Sequence, residues 1–242
     1  MIASRSRRLL ALATTLIIGV LILHSATVPE PRPVERDLLF RDHFDSTDLG
    51  AWQMPHPEDW SILSENGNRF LHMNRNREPG VPRRPLQFAL LKGANVGSFS
   101  FRTRLRREGK SMIVVFNYAD TLHFYYTHLS TDSGTKVDVH NGIFIVDGGP
   151  RRRIAGTEAA PALPDREWHT AEVHRNVQAG SIDVLMDDQP RPLFSVIDHT
   201  FNCGQVGIGS FDETGDFDDI LLESRDSGCT PGSAIRDAKS QE

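Results

Sequence analysis

Short runs in which apolar and polar residues alternate follow one another along this chain, separated by Gly, Pro, Asn and Asp. Alternation at period 2 marks a strand with one face in a core and the other in water. It predicts a domain that begins near Asp37 with Leu38–Phe44 and continues through strands at Trp60–Leu63, Arg69–Met73, Gln87–Leu91, Ser98–Arg106, Met112–Tyr118 and Leu122–Leu129. Later runs predict strands at Gly142–Val146, Trp168–Arg175, Ser181–Met186, Leu193–Ile197, Gln205–Phe211 and Phe217–Glu223. In the clearest, Phe99, Phe101 and Leu105 point one way while Ser100, Arg102, Arg104 and Arg106 point the other. No segment carries a sustained helical stripe, and Asn66-Gly67 and Ala179-Gly180 are hairpin-turn dipeptides. The prediction is an all-β domain, a two-sheet antiparallel jelly-roll sandwich.

One run differs from the rest. In Thr121–Leu129 the alternation puts Leu122, Phe124 and Tyr126 on a core face and His123, Tyr125 and Thr127 on an outer one, with His128 and His140-Asn141 close in sequence. Rings with polar tips suit sugar contact, because the ring packs on the pyranose face while the tip reaches a hydroxyl. The plainer reading is a half-buried strand with a wet outer side.

Outside the strands, the chain divides simply. Ser4–Arg8 precedes the uncharged apolar run Leu9–Leu23, so residues 1–26 read as an export signal or an uncleaved N-terminal anchor. Residues 27–36 form a Pro-rich tether, 37–225 the sandwich domain, and 226–242 a polar tail. The folded part is expected outside the cytoplasm. Without residues 1–26, 24 basic residues face 32 acidic ones, which disfavours nonspecific nucleic-acid binding. Of the two cysteines, Cys203 and Cys229, two readings stand: a disulfide tying the tail to the strand near Gly204, or two independent thiols.

The second half carries a resemblance. Trp168–Arg175, Gly180–Asp188, Gly204–Phe211 and Phe217–Ile220 are similar to the closing strands of the concanavalin A-like lectin/glucanase superfamily, and within it to laminin-G-like and 3-keto-disaccharide hydrolase domains. The resemblance implies the sandwich fold and a carbohydrate partner. It also implies a structural calcium where first and last strands meet, with Asp42 and Asp219 as ligands beside Asp45 and Asp218. The Glu-x-Asp-x-x-Glu signature of family-16 glucanases is missing, so a retaining mechanism built on it is not expected.

The candidate chemistry follows from placing the strand of Arg102 and Arg104 beside that of His123 and Tyr125. His123, Tyr125, His128 and His140 are then candidate acids and bases, and Arg102, Arg104, Asn117 and Asn141 candidate substrate-binding groups. Such a groove would suit β-elimination from a uronate or hydrolysis of a 3-keto-glycoside. A non-catalytic lectin using the same groove and a laminin-G-like adhesion module with a protein partner are the other readings. Arg151-Arg-Arg153 is either a contact for an anionic glycan or an exposed loop.

Overall fold

A computed structural model describes residues 37–132, 140–156, 161–224 and Cys229. The leader, the tether, the run 137–139 and the tail apart from Cys229 lie outside the described residues.

The alternating runs pair into two antiparallel sheets. The first has the order β13 (Phe194–Ile197), β12 (Ser181–Met186), β11 (His169–Asn176), β6 (Phe99–Arg107), β15 (Gly215–Ser224), β4 (Asn68–Met73), β3 (Trp60–Glu65), with β1 (Asp37–Asp42) pairing along the later part of β15. The second has the order β10 (Arg152–Ala155), β9 (Gly142–Asp147), β8 (His123–Ser130), β7 (Ser111–Asp120), β14 (Gln205–Ser210), β5 (Gln87–Leu91), β2 (Trp52–Gln53). The β3–β4 hairpin turns on Asn66-Gly67, whose φ values of 52° and 83° are the left-handed pair that a two-residue hairpin requires.

Between the sheets lies the main core. Leu71, Phe101, Leu105, Val173, Val184 and Leu222 from the first sheet meet Met112, Val114, Phe116, Tyr125, Leu129, Ile145 and Ile208 from the second. The second sheet is buried on its outward face as well. Phe88 and Leu90 of β5, Ile113 and Val115 of β7, Phe124 and Tyr126 of β8, Phe144 and Val146 of β9, and Phe211 form a separate buried cluster. Gly207 and Gly209 of β14 leave room for it: a Cβ on Gly209 would come within 2.8 Å of Phe88.

Two strands were not predicted. β2 has only two residues, too few to show a period, and β10 runs through the arginines read as a possible loop. The faces of β8 also differ from the expectation. Tyr125 and Thr127 point into the main core, and Phe124, Tyr126 and His128 point outward, yet all of them are buried. Alternation identifies the outer face of a strand only when that face meets water.

Candidate functional site

The expected groove of Arg102, Arg104, His123 and Tyr125 does not form, because β6 and β8 belong to different sheets. Arg102 donates to Asp188 at 2.7 Å and to Glu172 at 3.5 Å on the first sheet's outward face. Arg104 pairs there with Asp219 at 3.2 Å. Tyr125 stacks on Phe116 in the core, donates its hydroxyl to Asp198 and accepts from the Phe201 N–H at 3.0 Å. Burial raises its pKa first, with the Asp198 hydrogen bond adding to the rise. These are the bonds of an anchor under the 198–201 loop, since Arg175 donates to the carbonyls of Asp198 and Phe201 at 2.9 Å each. His123 sits at the opposite end of β8 from His128, roughly 16 Å along the strand, with its Nδ1 on Asp120 at 2.9 Å.

Asn117 is fully buried at the β7 bulge and donates to the Val96 carbonyl, so it is a backbone brace and not a substrate contact. Asn141 is also buried. It accepts from the Ser130 N–H at 2.8 Å and donates to the Asp132 carbonyl at 2.9 Å, which fixes the turn carrying Asp132. Among the carboxylates named for calcium, Asp42 accepts from the Phe44 N–H and the Trp52 indole, and Asp219 is held by His43 and Arg104. Asp218 accepts from Asn68 at 2.8 Å, while Arg69 bonds the backbone carbonyl of Asp45. Among the described residues no three His, Cys, Asp or Glu side chains converge as metal ligands. Cys203 and Cys229 are joined, with Cα atoms 5.9 Å apart.

Two of the candidate residues, His128 and His140, do come together. At the end of the second sheet's outward face, Arg83, Lys110, Ser111, His128, Asp132, His140, Phe211, Asp212 and Glu213 line a pocket of about 120 Å³. The imidazole centres of His128 and His140 are 5.7 Å apart. His128 is 2% exposed and stacks on Phe211 at 5.6 Å. Arg151 crosses over the same ring, its guanidinium 4.3 Å from the Phe211 centroid, and donates through one nitrogen to Tyr126 at 2.9 Å and to His128 Nδ1 at 3.0 Å. Arg83 lies 4.8 Å over Phe211, and the Arg151 N–H donates to the Arg83 carbonyl.

The protonation states follow from these partners. Arginine has donors and no acceptor, so Nδ1 of His128 must accept and its ring hydrogen sits on Nε2. That Nε2 is buried and has no hydrogen-bond partner among the described residues. Burial, then the guanidinium groups of Arg151 and Arg83, hold the His128 pKa well below its usual range, so the ring is neutral. His140 is held differently: its Nδ1 is bonded to Asp132. The pocket is therefore lined by a neutral His128 and by a His140 tied through Nδ1 to Asp132.

Sequence reasoning named the two histidines and missed their setting. Asp132, Arg83, Lys110, Phe211, Asp212 and Glu213 come from four other stretches, and only the basic run at 151–153 had drawn notice. The larger trough beside Glu65, Asn68, Arg104, Arg106 and Trp168, about 540 Å³, is a weaker candidate. Its indole is already covered, with Arg104 and Arg106 4.9 Å and 4.8 Å over the ring and Phe70 edge-on at 5.5 Å.

Neither a protein-family model nor a curated protein sequence matches the chain. Solved structures do resemble it. A carbohydrate-binding module, CBM66 from Bacillus subtilis, superposes with TM-score 0.52 at 17% identity over 72% of this chain and 96% of its own. The GH43 protein BlXynB from Bacillus licheniformis gives TM-score 0.56 at 16% identity over 76% of this chain but only 39% of its own. Winged bean acidic lectin, solved with methyl-α-D-galactose, gives TM-score 0.50 at 13% identity over 78% of this chain and 99% of its own. At these identities the likeness shows the fold. By architecture, the chain is a concanavalin A-like jelly-roll sandwich.

Proposed function

We propose that this domain binds carbohydrate, and that the pocket between His128 and His140 holds the sugar. The observation that carries the reading is the pocket of about 120 Å³ where His128, His140 and the Phe211 ring meet. Rings with polar tips suit a sugar, because the ring packs on the pyranose face while the tips reach hydroxyls. Support comes from the architecture shared with a carbohydrate-binding module and a lectin of known sugar complex. An exported location, expected from the leader, is consistent with a glycan partner. The test is retention of the full chain on a panel of immobilised polysaccharides, repeated with His140→Ala. Loss of retention by about tenfold or more supports the site, and unchanged retention removes it.

A second reading, turnover of the bound glycan, is favoured by one specific feature. Asp132 bonds Nδ1 of His140 at the pocket, a carboxylate–imidazole pairing of the kind that a proton-abstracting step in hydrolysis or elimination uses. New reducing ends, or ultraviolet absorbance from an unsaturated product, would support it. Binding with neither signal over many hours would leave the domain a lectin.

A further inference from the structure

We infer that Asp165, His169 and Asp187 form a clasp that closes the loop before β11 only while both ring nitrogens of His169 carry hydrogen. The β11–β12 register builds one half of it. Ala171 stands opposite Met186, so the next pair is Thr170 and Asp187. Asp187 donates its N–H to the Thr170 carbonyl at 2.8 Å and accepts the Thr170 N–H on Oδ1 at 2.9 Å. Its Oδ2 lies 2.8 Å from His169 Nδ1. The other half is local. Asp165 precedes His169 by one i,i+4 step and accepts the Glu167 N–H on Oδ1 at 2.9 Å. The same oxygen lies 2.9 Å from His169 Nε2.

A carboxylate only accepts, so both bonds exist together only when both ring nitrogens donate, as in the imidazolium. Burial opposes that charge, but the hydrogen bonds to Asp187 and Asp165 outweigh it and raise the pKa above 6.5. Those two carboxylates are the charged groups acting on the ring. Along the other edge of β11, β6 places Leu105 opposite His169. Arg107 of β6 donates to the Leu163 and Pro164 carbonyls at 3.1 Å and 3.2 Å and also acts on Asp165. Arg104 and Arg106 of the same strand lie over Trp168 instead. The clasp is complete below about pH 6.5 and fails as the pH rises through the raised value. A neutral ring keeps one N–H. Asp187 is also tied to β11 through its backbone, whereas Asp165 is 56% exposed and can turn to water, so Asp165 is the partner released. Beyond Pro164 the freed loop carries Arg166 and Glu167, which with Trp168 form one wall of the trough of about 540 Å³. That trough therefore has a pH-dependent side.

The test is electron paramagnetic resonance of the full chain carrying Arg166→Cys and a nitroxide. Cys203 and Cys229 are bonded to each other, so the label goes to one site, and Arg166 takes no part in the clasp. The expected result is a broad, immobile spectrum at about pH 6, with the narrow, mobile component growing about threefold or more by about pH 9. His169→Gln should give the mobile component at both pH values. Asp165→Asn should keep the broad spectrum at both, because an amide accepts from the charged ring and donates to the neutral one. Should His169→Gln fail to fold, Asp165→Asn carries the test alone. His72, whose pKa is also raised, is the control, and His72→Gln should leave the response intact. A label equally immobile at both pH values in the parent overturns the inference. So does a label that stays immobile in folded His169→Gln, or a response that persists in Asp165→Asn. A response abolished by His72→Gln belongs to the Asp216 ladder and overturns it as well.

Discussion

The two sheets present outward faces of opposite character. On the first, charges stand in ladders. Arg102 meets Glu172, which also accepts from His174 and Ser100; Arg104 meets Asp219, which also holds His43; Arg106 meets Asp216, which also holds His72. On the second, the face is aromatic and buried, with Arg83 and Arg151 lying across Phe211 and His128 Nε2 without a partner among the described residues. The ladder face is the more polar, yet its cations and anions answer each other and little is left over for a ligand. Unmet hydrogen-bonding capacity sits in the apolar setting, where there is no water to satisfy it.

If the second sheet's outward face is a core in its own right, removing a ring there should cost as much as in any core. Phe124 is fully buried and packs edge-on against Phe88 and beside Tyr118 and Tyr126. Phe124→Ala is expected to lower unfolding stability by about 3–5 kcal/mol. On the first sheet's outward face, Leu63 is 42% exposed, and Leu63→Ala should change it by no more than about 0.5 kcal/mol. Denaturant titration of both variants checks the contrast, and a Phe124→Ala cost near that of Leu63→Ala would erase it.

That contrast also explains what was legible from the sequence. Gln87–Leu91 and Ser181–Met186 could be bounded to the residue, because a continuous apolar run and a clean alternation each end at turn residues. The antiparallel sandwich followed from many such runs. The partners of β8 did not follow. A strand buried on both faces alternates between two kinds of apolar surroundings, so local pattern puts Tyr125 on an outer face and His128 in the same open groove. What buries His128 is Arg151 and Phe211, 23 and 83 residues further along the chain, and no local pattern carries that information.

His128 on one face and His72 on the other should titrate in opposite senses. His128 has a lowered pKa in the folded protein, so the unfolded chain binds the extra proton first. Its effect on stability is absent above about pH 6.5 and grows as the pH falls below it, by up to about 1.4 kcal/mol per pH unit until the folded value is reached. His128→Phe should remove this acid-side slope. Stability measured from pH 7 to pH 5 would settle the point, and an unchanged slope in the variant would mean that His128 is not held neutral by its burial beside Arg151.

Glu172 adds a second acid-side term, from the other face. The hydrogen bond from His174, opposed by burial and assisted by Ser100, lowers its pKa to about 2. A depressed carboxylate contributes stability above its unfolded value near 4.5 and loses that contribution as the pH falls toward 2. Glu172→Gln should cost about 1–2 kcal/mol at pH 7 and nothing at pH 2. The His128 slope begins near pH 6.5 and the Glu172 loss only near pH 4.5, and the two variants separate them.

The smallest effect lies on the alkaline side and belongs to the ladder face alone. His72 donates to Asp216 at 2.7 Å, and that bond raises its pKa above the ordinary value against the cost of burial. A raised histidine binds its proton more tightly folded than unfolded, so its contribution is fully present below about pH 6.5 and is lost as the pH rises through the raised value. Arg106 also donates to Asp216, at 2.8 Å, so the carboxylate keeps a partner when His72 discharges. The loss should therefore be modest, about 0.5–1 kcal/mol. His72→Gln preserves a donor toward Asp216 without a titrating proton, and should flatten stability between pH 6.5 and pH 8.5 while leaving the His128 slope below pH 6.5 untouched. If the acid-side slope moved with it, the two faces would be coupled through the core, and the ladder could no longer be treated as separate from the pocket.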